Sequence, residues 1–364
     1  MRITNTTIAR NYTSNLNRNL SLLNDGNYRV ASGRKFNMMA ENTADGVRAM
    51  TLRRSLARLD GYLDNAITTR NTFAGAEGQL MKISDLTKDI SDRFIVGLSG
   101  TSGKDERNII ATELEKLRDQ ILSCANGQYS DRYLFGGTNT KTQPFTVKDV
   151  EMIIEPGDPR YDDAFSALPD GHTYVDGVDN IPFVETGVLH YNGVRVDQID
   201  KEGEHAYLFR DAAYVDLGLG FQMKPAPDSQ NVASNSAFKN TLVGLDFLGS
   251  GDDNIYNVIN EMVAFLRGGG GDPERGGALL DKFRASADNI GVQITQIGAD
   301  AAYLDFTVSR LEKQNDTMIE QQGHLEFMDP YQAIMDFKMQ EYVYNAALQM
   351  GSRLLQPSIF NFIR

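Results

Sequence analysis

Apolar residues recur at alternating steps of three and four through Leu280, Phe283, Ala287, Ile290, Ile294, Ile297, Ala301, Leu304, Val308, Leu311, Asn315, Met318, Gln322 and Leu325. Only Asn315 and Gln322 in this heptad seam are polar, and no proline falls between Pro273 and Pro330. The pattern predicts a single helix ~70 Å long. A seam of that length needs cover. Two other stretches offer it. Leu52, Leu56, Leu59, Leu63 and Ala66 lead into Phe73, Ala76, Leu80, Ile83, Ile90 and Phe94, with a slip of phase near Arg70. Ile110, Leu114, Leu117, Ile121 and Cys124 mark one face of a third helix. The expected arrangement is a rod-like antiparallel helical bundle or coiled coil, formed within the chain by its N- and C-terminal halves.

The two ends of the chain carry weaker seams. Ala9, Thr13, Leu16, Leu20, Leu23, Asn27 and Val30 keep the rhythm, but the intervening Asn, Thr and Ser residues are poor helix formers. The segment SGRKFNMMAENTADG, residues 32 to 46, reads as a structured turn with several possible caps. Asp329-Pro330 ends or kinks the long helix. Beyond it Ile334, Phe337, Glu341, Tyr344, Leu348, Gly351 and Leu355 resume the spacing in a new phase, flanked by Met335, Met339, Tyr342 and Met350. That helix is apolar over a wide face, and the chain closes on the apolar LLQPSIFNFIR. Such a tail calls for a partner surface.

Between the helical halves the period changes. Val147, Val150 with Met152 to Ile154, Leu189 to Tyr191 and Val194 to Val196 read as short strands. Asn192-Gly193 between the last two is a hairpin signal for a type I′ turn. Val215, Leu217, Leu219, Phe221 and Met223 alternate as a half-buried strand would. Helical spacing returns with Ile255, Ile259, Met262 and Leu266 and stops at Gly268 to Gly271. The fold class is therefore mainly α with a β insertion. Its parts are an N-terminal assembly helix at 1–32, the two halves of the helical rod at 33–141 and 251–329, the β-rich insertion at 142–250, and a C-terminal assembly helix at 330–364.

Charge and candidate chemistry narrow the function. The net charge of -13 comes from the middle of the chain. Residues 149 to 253 hold six Lys and Arg against twenty Asp and Glu, whereas residues 1 to 70 hold eleven against five. An acidic middle and scattered basic residues argue against nucleic acid as a partner. Cys124 is the single cysteine, so no disulfide closes within the chain, and its place in a helical stripe reads as a buried thiol. His172, His190, His205 and His324 lack HExxH spacing, and Gly268 to Gly271 precedes Asp272-Pro273 where a phosphate loop needs Lys and Ser or Thr. The acidic loops lack the calcium-loop pattern. Neither catalytic, cofactor nor metal residues are assigned. No run reaches the ~18 apolar residues of a membrane span, and the first twenty residues lack the core of a cleaved secretory signal. Membrane insertion is not expected, and an exported chain would leave by another route.

The opening MRITN, the turn SGRKFNMMAENTADG before a long helix, and the ending LLQPSIFNFIR resemble the flagellin superfamily. YLFGGTNTKTQPF at 133 to 145, VDLGLGF at 215 to 221 and DNIYNVINEMVAFL at 253 to 266 resemble more narrowly its hook-associated branch, whose members join the flagellar hook to the filament. Gly136-Gly137 stands where a filament flagellin would more usually carry Asp-Gly.

The resemblance implies a structural, extracellular subunit, exported through the flagellar type III channel without a cleaved signal and assembled through its terminal helices. These would pair fully only on assembly. The interface residues would be Leu16, Leu20, Leu23, Phe337, Tyr344, Leu348, Leu355, Ile359, Phe360 and Phe362. Implied partners are like subunits in a ring or tube, a neighbouring hook-associated protein, flagellin and an export chaperone. The alternatives are a filament subunit, or a module in which the β insertion binds a surface ligand on a helical stalk.

Overall fold

The structure, a computed structural model, describes residues 5–99, 103–156, 161–166, 174, 176, 179–220, 236–270 and 272–354. Helices α1 (Asn5–Ser32), α2 (Thr43–Leu98) and α3 (Lys104–Ala125) come first. The middle holds the strands β1 (Gln128–Tyr129), β2 (Arg132–Tyr133), β3 (Phe145–Ile154), β4 (Ile181–Tyr191), β5 (Val194–Arg195), β6 (Tyr214–Val215) and β7 (Phe238–Lys239). Short helices α4 (Tyr161–Ser166) and α5 (Tyr207–Arg210) are interspersed with them. The chain ends in α6 (Leu245–Leu248), α7 (Ile255–Arg267), α8 (Pro273–Glu326) and α9 (Pro330–Leu354). It divides into two compact units, Met1–Leu63 with Ser309–Arg364, and Asp64–Val308.

In the unit spanning Asp64–Val308 the predicted stripes form the core. Phe73, Leu80, Ile83, Ile90 and Phe94 of α2 are fully buried, as are Phe283, Ile290 and Leu304 of α8. Arg70 pairs with Asp305 at 3.6 Å. Glu77 lies beside Gly298, and Leu98 beside Gly276, so α2 and α8 run antiparallel. Thr69 and Thr87, 2% and 4% exposed, fill the inward positions of α2. The expected slip near Arg70 is present: the seam takes two successive steps of three, Leu63 to Ala66 to Thr69, before the alternation resumes through Phe73 and Ala76. Arg70 lies off the seam, in its ion pair.

Helix α3 packs on α7, where the Arg118 guanidinium lies 4.8 Å from the Tyr256 ring centre and donates to Asn260 at 2.6 Å. Cys124 is half-buried at the edge of its stripe, and Ala125 takes the fully buried place. Burial pushes the Cys124 thiol pKa up, which keeps it protonated.

The β insertion belongs to the same unit. β3 and β4 pair antiparallel with a bulge between Lys148 and Val150, and Asn192-Gly193 turns β4 into β5. Both turn residues have positive φ, 49° and 89°, as a type I′ turn requires. Tyr191 anchors this hairpin by donating to the Phe135 carbonyl at 2.9 Å.

The alternating run from Val215 is a strand only over Tyr214–Val215. Gly218 and Gly220, at φ 75° and 81°, turn the backbone out of extension. Phe221 and Met223 lie outside the described residues. Val196, expected to extend β5, instead starts a 3-10 turn. Strand β7 ties the insertion to the helices, because Phe238 packs edge-on against Phe73 of α2 and stacks on Tyr303 of α8 at 5.9 Å.

Candidate assembly interface

The unit made by Met1–Leu63 and Ser309–Arg364 contains the two terminal helices, and they pair with each other. The Tyr12 hydroxyl donates to the Ala347 carbonyl at 3.1 Å. Gly351 lies under the Tyr12 phenol, and Gly26 lies against Gln340 and the Phe337 ring, in places where a Cβ would collide. These two glycines let α1 and α9 approach closely. The sequence pattern predicted an N-terminal helix marginal on its own, and the resemblance implied ends that pair fully only on assembly. In the structure α1 and α9 are continuous helices lying on each other.

The buried face of α1 also differs from the predicted seam. Ala9, Tyr12, Leu16, Asn19 and Leu23 are half-buried and Gly26 is buried, at three-four spacing. Thr13, Leu20, Asn27 and Val30 are exposed. Close approach selects a glycine and a tyrosine that can donate, where apolar periodicity alone selects the next residue along.

Of the predicted interface residues, Leu16 and Leu23 share the face of Tyr12 and Gly26. Phe337 and Tyr344 share the face of Ala347 and Gly351. All four are half-buried in the α1 and α9 pair. Leu20 and Leu348 remain 48% and 42% exposed. Leu355, Ile359, Phe360 and Phe362 lie outside the described residues. Periodicity in one phase did not single out the far side of α9. There Tyr331, Met335, Met339, Tyr342 and Met350 are each at least 66% exposed, in steps consistent with one helical stripe. Their presence as flanking apolar residues was the available signal: a helix apolar on two sides has two surfaces to cover.

A joint at the base of the pair fixes where α1 ends and α9 begins. The backbone N–H of Lys35 donates to the Glu326 carbonyl at 2.8 Å, and that of Met328 donates to the Gly33 carbonyl at 2.9 Å. Arg34 and Phe327 thus form an antiparallel bridge between the two interhelix turns. Glu326, only 3% exposed, receives both arms of the Arg53 guanidinium, one of them from Nε at 2.7 Å. The Arg53 hydrogen bonds hold the Glu326 carboxyl below the usual carboxylate range. Asn315 donates to Asp60 at 2.7 Å on the same side of the unit, where the α8 seam residues beyond Leu311 are only half-buried.

A cavity of about 690 Å³ in the unit Asp64–Val308 is lined by Phe73, Phe238, Tyr303, Lys239, Asp246 and Asp300 among others. Burial raises both of its carboxyl pKa values. It holds no Ser, Cys or His nucleophile or base. His190 is buried with Nδ1 3.0 Å from the Val188 carbonyl, and His324 is exposed on α8. His172 lies outside the described residues. Among the described residues no three His, Cys, Asp or Glu side chains cluster as metal ligands, and no helix is long and apolar enough to cross a membrane.

Residues 3–140 match the family described as the bacterial flagellin N-terminal helical region. The flagellar hook-associated protein 3 of Escherichia coli is 26% identical over 130 residues, which are 34% of this chain and 39% of that protein. The protein of the same name from Salmonella typhimurium is 22% identical over 117 residues, 32% of this chain and 37% of that protein. The chain thus matches about two-fifths of the length of these curated relatives. A solved structure of a putative flagellar hook-associated protein from Vibrio parahaemolyticus is similar in fold. It covers 79% of this chain and 100% of its own, with a TM-score of 0.54 and 16% identity.

Proposed function

We propose, for a chain whose residues 3–140 match the bacterial flagellin N-terminal helical region, that it is a structural subunit of the flagellum outside the cell, joining hook to filament. The names of its relatives motivate the place, and one observation supports the mode of action. Helices α1 and α9 bury one face on each other and leave a second apolar face of α9 open.

On this reading the open face of α9 meets like subunits in a ring or tube, and the exposed Leu20 of α1 and Leu348, about 100° around α9 from the stripe, add to the contact. Leu355, Ile359, Phe360 and Phe362, outside the described residues, are assigned to assembly from their sequence alone. Leu16, Leu23, Phe337 and Tyr344 hold the helix pair that presents it. A neighbouring hook-associated protein and flagellin are the partners above and below, and an export chaperone covers the apolar face beforehand. The protein acts as a building part and catalyses nothing.

Deleting the gene tests the place of action. Cells should make hooks, lack filaments and shed flagellin into the medium, as seen by electron microscopy and by blotting the medium. Normal filaments on normal hooks would overturn the junction role, and loss of filament without shed subunit would favour a filament protein.

A further inference from the structure

We propose that the open stripe of α9 is a redox-sensitive modification site, at which peroxide oxidation of Met335, Met339 and Met350 blocks self-association. The proposal rests on the reading that this stripe meets a second copy of the chain. At about 100° per residue, Tyr331, Met335, Met339, Tyr342 and Met350 fall within an arc of about 100°. Phe337, Tyr344 and Gly351 occupy the opposite side, toward α1. The three thioethers are 67%, 69% and 66% exposed, whereas Met262 of α7 is fully buried. Three of the five side chains on the stripe are thus thioethers that peroxide can reach, and thioethers are the oxidisable members of the apolar set.

In the reaction a sulfur lone pair attacks one peroxide oxygen. An S–O bond forms, the O–O bond breaks, and the departing hydroxide takes the proton of the transferred oxygen and leaves as water. Sulfur loses two electrons and the peroxide gains them. Each sulfoxide is a strong hydrogen-bond acceptor. A second copy covering this mostly apolar stripe offers few donors, the Tyr331 and Tyr342 hydroxyls among them, so association would bury sulfoxide acceptors that are not all partnered. The change is reversible by methionine sulfoxide reductases, which gives it the form of a switch.

The test uses the full chain with hydrogen peroxide, peptide mass spectrometry to place the added oxygen, and light scattering to follow assembly. Met335, Met339 and Met350 should oxidise at least about tenfold faster than Met262, as exposure dictates. Assembly of the treated chain should fall at least tenfold and return after sulfoxide reductase.

Each variant is judged by the ratio of its own treated to untreated assembly. For M335L/M339L/M350L that ratio should stay near one. For M38L/M81L, which removes thioethers elsewhere that are 64% and 50% exposed, it should fall as in the parent chain. Unchanged assembly of a parent chain oxidised at all three positions overturns the proposal and leaves the interface reading standing. Loss of assembly by the treated triple variant overturns it too, by moving the sensitivity off the stripe. If Tyr342→Lys assembles like the parent chain, the interface reading fails and the proposal falls with it.

Discussion

The Tyr12 hydroxyl donates to the Ala347 carbonyl across 335 positions of sequence, with Gly351 one turn further along α9 directly beneath the phenol. Packing at this point is tight enough to reverse an ordinary preference. In a helix interior Ala is favoured over Gly by ~1 kcal/mol. Gly351→Ala should therefore fail to stabilise the parent chain, because the Tyr12 ring must leave its place. In a Tyr12→Ala background the same change should stabilise by ~1 kcal/mol. Hydrogen exchange of the α1 amides across this double-mutant cycle measures the difference. Gly26→Ala is the contrasting case: it meets the movable end of Gln340, so it should be tolerated or mildly stabilising.

Glu326 and Asp246 should respond to acid in opposite senses. The folded pKa of Glu326 lies below its unfolded value because Arg53 hydrogen-bonds its carboxylate. Its stabilisation is present above the unfolded carboxylate pKa, ~4.3, and is lost as pH falls through the folded value. The folded pKa of Asp246 is raised by burial, so its charge opposes folding at neutral pH and ceases to do so as acid protonates it.

Glu326→Gln should cost about 1–2 kcal/mol at pH 7, less than a buried pair would, because Arg53 is half exposed. That cost should hold down to the unfolded carboxylate pKa, ~4.3, shrink as pH falls below it, and vanish only once pH is below the folded value. Asp246→Asn should stabilise at pH 7 and have no effect in acid. Urea unfolding of both variants across pH tests the two signs together.

The hairpin joining β1 to β2 turns through Ser130 and Asp131, both at positive φ, 50° and 61°, without a glycine. Each residue is held where an L side chain is strained. Asp131→Gly, or the pair Ser130→Asn with Asp131→Gly, should raise stability by ~0.5–1 kcal/mol. Thermal unfolding should show a higher midpoint. Gly193→Ala, at φ 89° in the other hairpin, should lower it by a similar amount.

Burial in the unit Asp64–Val308 makes large-to-small changes expensive. Phe94 is fully buried with its ring centre 6.2 Å from that of Phe265, so α2 and α7 share it. Phe94→Ala should cost about 3–5 kcal/mol by denaturant titration. Phe306→Ala on α8, where the ring is 68% exposed, should change stability by less than ~0.5 kcal/mol.

The parts of this fold that repeat a period were legible in the residues. The seam through Phe283, Ile290 and Leu304 and the stripe through Ile110 and Leu114 are buried as their spacing requires. Asn192-Gly193 turns as its φ values demand. Packing partners decided the rest. Thr13 and Asn27 fit an apolar rhythm on α1, but Tyr12 and Gly26 are the residues on the face that α9 covers. Thr69 and Thr87 complete the α2 seam because a threonine methyl fills an inward site, and a pattern scored on apolar residues passes over both.

The run from Val215 alternates correctly for a strand, but its glycines at 218 and 220 end it early. The interface showed the same limit. Phe337 and Tyr344 read as contacts between subunits, yet they occupy the face of α9 toward α1. The open stripe of Tyr331, Met335 and Tyr342 becomes visible only once that inner face is known to be taken.

Self-association of a chain carrying Tyr342→Lys tests most directly the claim that α9 presents an assembly surface. Tyr342 is 75% exposed and lies opposite the face on α1, so the charge should leave helix content and thermal midpoint unchanged. Light scattering across a concentration series should show the variant remaining monomeric where the parent chain assembles. Assembly of the variant at parental concentrations, with its fold intact, would contradict the account.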